Sequence, residues 1–62
     1  MRFTKAQIQD LLQGWHCDPE QPENWLRFDK GIKDTSDTVC YAYFVRVSSS
    51  VDLWVFNRFE IQ

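Results

Sequence analysis

The sequence predicts a small α+β domain, with one N-terminal helix packed on a three-stranded antiparallel sheet in the order α-β-β-β, a meander occupying residues 1–62 as a single unit. Three observations predict it. Residues 3 to 8 carry a helix start signal, a Pro-containing stretch separates that helix from the rest of the chain, and Val39 to Ile61 reads as one long β-hairpin.

Thr4 fits an N-cap and Gln7, three residues on, completes a capping box, while Phe3 and Ile8 occupy the two positions of a hydrophobic staple. The helix should therefore begin at Lys5. Ile8, Leu11, Leu12 and Trp15 recur at i, i+3, i+4 and i+7 and form one apolar stripe, and Gly14 can end the helix in a left-handed conformation. His16 and Cys17 then sit at the helix C-terminus. The stretch from Cys17 to Asn24 contains Asp18-Pro19 and Gln21-Pro22, which neither a helix interior nor a central strand tolerates.

Asn24 to Lys30 reads as a strand, with Leu26 and Phe28 on one side and Trp25 and Arg27 on the other; Gly31 to Asp37 reads as a polar loop. In the hairpin, a three-residue Ser48-Ser49-Ser50 loop would set Val47 opposite Val51, Val45 opposite Leu53, Tyr43 opposite Val55, Tyr41 opposite Asn57 and Val39 opposite Phe59. The other face would pair Arg46 with Asp52, Phe44 with Trp54, Ala42 with Phe56 and Cys40 with Arg58. Both faces are apolar at their centres, and a chain of this length has only one helix to cover them.

Charge assigns the faces. The set built on Val39, Tyr41, Tyr43, Val45, Leu53 and Val55 holds no ionisable group but tyrosine hydroxyls, so it is expected to meet the helix. The opposite face has Ala42, Phe44, Trp54 and Phe56 framed by Arg46, Asp52 and Arg58, an aromatic centre in a charged frame as in protein interfaces. Covering its three large aromatics would bury on the order of 500 Å², against about 800 Å² per partner in a standard interface. Phe44, Arg46, Asp52, Trp54, Phe56 and Arg58 are therefore the expected partner-binding residues. The rival is a second mini-core closed by Trp15 or Trp25; if the helix covers this face instead, Tyr41, Tyr43, Val45 and Leu53 become the exposed set.

Composition limits the function classes. Seven basic and nine acidic residues give a net charge of −2, and 44% of the chain is hydrophobic with 16% aromatic, so disorder is not expected. No apolar run approaches the ~18 residues of a membrane span, and no signal-like start is visible, which makes cytoplasmic the expected location. Cys17 and Cys40 are expected as reduced thiols. The helix cap near residue 4 and a strand running to Gln62 lead us to expect a complete small gene product.

Catalytic signatures are weak. Gly14 and Gly31 are too far apart for a phosphate-binding loop, and one histidine with two cysteines falls short of the roughly four ligands of a zinc site. His16 beside Cys17 is the sharpest nucleophile and base candidate, but sequence neighbours seldom reach the geometry that activates a thiol. Glu20 and Glu23 read as a solvated acidic segment.

The expectation is thus a non-catalytic protein, without cofactor or metal, that binds and occludes a surface of a larger protein. By size it has the profile of phage- or mobile-element-encoded inhibitors of host enzymes or defence complexes. A homodimer through an edge strand or a self-complementary patch is compatible with the same residues. The alternative is a single-stranded nucleic-acid-binding sheet using exposed aromatics, which the acidic balance disfavours.

Overall fold

The computed structural model describes residues 1–31 and 38–62. Helix α1 spans Lys5–Leu11 and is followed by strands β1 (His16–Cys17), β2 (Trp25–Gly31), β3 (Val39–Arg46) and β4 (Trp54–Ile61). The strands form one antiparallel meander in the order β1-β2-β3-β4. The α+β class stands; the sheet has four strands where three were expected. Residues 32–37 of the expected polar loop lie outside the described residues.

The helix forms as its cap dictates. Thr4 Oγ1 accepts the Gln7 N–H at 3.2 Å and Gln7 Oε1 accepts the Thr4 N–H at 2.9 Å, a reciprocal capping box. Seven residues are too few for a helix to persist alone in water, so α1 depends on what it packs against. Ile8 is fully buried, and Phe3, Leu12 and Trp15 pack around the same cluster. Leu11, expected on the buried stripe, is 65% exposed, because α1 ends there and the chain turns away at Leu12.

Gly14, at φ +85°, reverses the chain in the left-handed region that a glycine enters without a Cβ penalty. His16 and Cys17 are consequently not a tail of the helix. They form the added strand, opposite Asp29 and Phe28, and the Asp18 N–H extends the ladder to the Arg27 carbonyl at 3.0 Å.

The core is Ile8, Leu26, Phe28, Ala42, Phe44 and Trp54, which corrects the expected assignment of faces. Phe44 and Trp54 are 6% and 4% exposed, beneath α1, and the Tyr41, Tyr43 and Val45 face looks away from the helix. Strand β2 decides the matter. Leu26 pairs with Phe44 and Phe28 with Ala42, so the wholly apolar side of β2 is continuous with the even-numbered side of β3. Burying the other side would have taken Arg27 and Asp29 from water.

The hairpin register also differs. Val47 donates to the Leu53 carbonyl at 2.7 Å, and Val51 donates to Ser48 at 3.2 Å across a turn with Ser50 at φ 64°. The loop is therefore longer than the three serines. Near it, Val45 pairs with Val55 and Phe44 with Phe56, a shift of two from the expected partners that leaves each side chain on its original face. Beyond Phe56 the ladder shifts again, to Tyr43 with Arg58 and Ala42 with Phe59. Asn57 is the extra residue of a β-bulge. It turns Phe59 and Ile61 toward the helix side and puts Arg58 and Glu60 opposite Tyr43 and Tyr41.

Candidate interaction surfaces

The six expected partner-binding residues do not share a surface. Phe44 and Trp54 are core residues. Arg46 lies over the Trp54 ring, 4.5 Å from its centroid, and bonds the Val51 carbonyl at 3.3 Å. Asp52 is occupied by the Lys5 N–H and the Trp54 indole N–H, each at 3.0 Å, rather than by Arg46. Those two N–H donors hold its carboxyl below the usual carboxylate range, with a smaller contribution from Arg46. Phe56 is exposed on the helix side, and Arg58 stands on the far face.

The structure brings a different set together on the face that α1 leaves open. Trp25 and Tyr43 meet edge to face with ring centroids 6.3 Å apart, and Tyr41 lies beside Tyr43 at 6.5 Å. The Arg27 guanidinium sits 4.6 Å from the Tyr41 centroid and that of Arg58 sits 4.2 Å from the Tyr43 centroid. Alternation puts Trp25, Arg27, Tyr41 and Tyr43 here, and the bulge adds Arg58. Among the described residues, no element covers this layer.

Acids tie its rim. Asp18 accepts the Glu20 N–H and the Gln21 side-chain amide, both at 2.9 Å, and pairs closely with Arg27. Its carboxyl is lowered by the Glu20 N–H first, then by Gln21 and Arg27. Arg27 is in turn held more firmly charged by the Tyr43 hydroxyl and by Asp18. His16 Nδ1 lies 3.1 Å from Asp29, and Arg58 approaches Glu60 at 3.6 Å.

A second exposed set lies on the helix side of β4. Phe56, Phe59 and Ile61 are 44%, 60% and 67% exposed, and the two phenylalanine rings touch with centroids 4.7 Å apart. Only Phe56 of this trio stands out from sequence. The other two needed the bulge.

His16 and Cys17 are neighbours on a strand and point to opposite faces, His16 to Asp29 and Cys17 to the core, so the thiol and imidazole are not paired. Among the described residues, no three His, Cys, Asp or Glu side chains converge as metal ligands, and no helix is long and apolar enough to cross a membrane. An open depression beside α1, about 290 Å³ and lined by Phe3, Gln7, Asp10 and Leu11, brings together no catalytic pair.

The chain matches no known family model, no curated protein and no solved structure.

Proposed function

We propose that the chain is a non-catalytic protein-binding module that docks the open face of its sheet on a larger protein and occludes the surface it covers. The observation that carries this reading is the layer of Trp25, Tyr41 and Tyr43 with Arg27 and Arg58 stacked on the tyrosine rings. Trp, Tyr and Arg are the residues that most often dominate binding energy at protein interfaces. The stacking holds both guanidinium groups in place before binding, which lowers the entropy lost on docking.

Aromatics on a sheet also suit single-stranded nucleic acid. Here the tyrosine rings are already capped by guanidinium groups, and Asp18, Asp29 and Glu60 line the same face. These carboxylates favour a protein of mixed charge over a phosphate backbone.

The test compares the wild type with a Tyr41→Thr, Tyr43→Thr variant, in which β-branched threonine preserves strand propensity, as baits in nuclease-treated lysate of the source cells. A protein held by the first and released by the second, at both low and high salt, is the expected result. Retention that falls steeply with salt, or that is seen only in a parallel lysate left without nuclease, would replace this reading with nucleic-acid binding.

A further inference from the structure

The two edges of the sheet are treated differently. At one, β1 is only two residues long, the kind of short edge strand that offers little to a pairing chain. At the other, the loop-proximal end of β4 is closed by Phe3, whose N–H and carbonyl exchange bonds of 2.9 and 2.7 Å with Trp54. Beyond Trp54 nothing described pairs with β4 on its outer side. Val39 and Gln62 exchange both backbone bonds, so alternation turns the N–H and C=O of Glu60 and Arg58 toward β3 and those of Phe59 and Ile61 outward. The open edge thus coincides with the exposed trio Phe56, Phe59 and Ile61, and it carries no proline or lysine.

We propose that this edge pairs with β4 of a second copy of the chain, antiparallel about a two-fold axis at Phe59. Charge selects both occupant and register. With Phe59 opposite the partner's Phe59, Arg58 faces the partner's Glu60 and Glu60 faces the partner's Arg58. Each cross-strand pair is then opposite in sign, and symmetry makes it twice. Moving the axis to Glu60 would oppose two carboxylates directly, which disfavours that alternative. In the chosen register the helix-side trios of both copies cluster around the axis, and the four-stranded sheets join into one of eight strands. The surface is self-complementary, as a two-fold contact between identical chains requires. This inference goes beyond the proposed docking face: Phe59 and Ile61 lie on the opposite side of the sheet, while Arg58 and Glu60 border both surfaces, so the Phe59→Ser variant is the one that reads the dimer alone.

Sedimentation equilibrium of the full chain tests it, with circular dichroism as a check of folding. The wild type is expected to show a monomer–dimer equilibrium. Phe59→Ser should weaken it at least about tenfold, as should Arg58→Glu or Glu60→Arg alone, because each reversal creates two like-charge pairs per dimer. The double variant Arg58→Glu, Glu60→Arg restores opposite signs across the axis and should return dimerisation to near the wild-type level. A wild type that stays monomeric at its highest soluble concentration overturns the proposal. So does a dimer indifferent to Phe59→Ser, or single reversals that the double variant fails to rescue. Because the Tyr41→Thr, Tyr43→Thr variant keeps the whole trio, partner capture that this variant leaves unchanged, beside an intact dimer, would identify failure of the docking reading alone.

Discussion

The Asp52 carboxylate accepts the backbone N–H of Lys5 at 3.0 Å, a bond across 47 residues of sequence that fixes the start of α1 to the end of the hairpin loop. A helix N-terminus has orphan N–H groups and a partial positive charge, and Asp52 answers both from outside the helix. The same oxygen receives the Trp54 indole N–H at 3.0 Å, so one carboxylate positions the helix and a core aromatic together.

Acid should therefore loosen the fold. Asp52 and Asp18 both have carboxyls lowered from their usual value in the folded state. Their contribution is complete above the unfolded carboxylate pKa of about 4 and is lost as pH falls through the lower folded values. Urea unfolding between acidic and neutral pH should show stability declining in that window. Asp52→Asn keeps the acceptor but removes the charge, so it should lower stability at neutral pH and flatten the acid limb.

Because Phe44 and Trp54 are core residues, a Phe44→Ser, Trp54→Ala double variant should lose the fold rather than strip a surface. Truncating a buried Phe or Trp costs about 3–5 kcal/mol, and two such losses exceed what a chain this small can hold in reserve. No cooperative thermal transition is expected. Phe28→Ala alone, at a fully buried site, should lower stability by about 3–5 kcal/mol. A sharp wild-type-like melt in either variant would contradict the assigned core.

The capping box gives a milder test. Thr4→Ala removes the acceptor for the Gln7 N–H and should cost about 1 kcal/mol. Thr4→Asn should retain most of that stability, since Asn caps as well as Thr. Chemical denaturation at neutral pH resolves the two.

Cys17 lies on β1 and Cys40 on β3, with β2 between them. Two strand spacings separate them by roughly 10 Å, beyond the ~7 Å limit for Cα atoms of a disulfide. Unfolding without reductant and alkylating should therefore add two adducts per chain, read by mass spectrometry. A single intramolecular bridge would require another register.

What was legible in the sequence was local. Thr4 and Gln7 specify their own bonds, and the alternation of Leu26 and Phe28 with Trp25 and Arg27 needs only strand geometry. The face that α1 covers is a non-local property. The hairpin alone is ambiguous because both its sides are apolar, and its tyrosines look like core until Arg27 and Arg58 are seen stacked on them. The clue lay in β2, whose clean apolar side had to join one side of β3. The bulge had a signature too. Large residues fall on even positions at Trp54 and Phe56, then on odd ones at Phe59 and Ile61, so the phase of the strand breaks between them. His16 and Cys17 offered no comparable signal, since two residues have no periodicity.

The extra residue at Asn57 means that this surface is encoded partly by the length of the strand. Removing Asn57 would restore regular alternation and leave Phe59 and Ile61 on the helix side, whereas inserting one more residue there would rotate everything beyond it by half a pleat and exchange Phe59 and Ile61 with Arg58 and Glu60 between the two sides. An insertion at this point is therefore a coarser dial on the chain's outward chemistry than any substitution, re-addressing a whole segment without changing what it is made of.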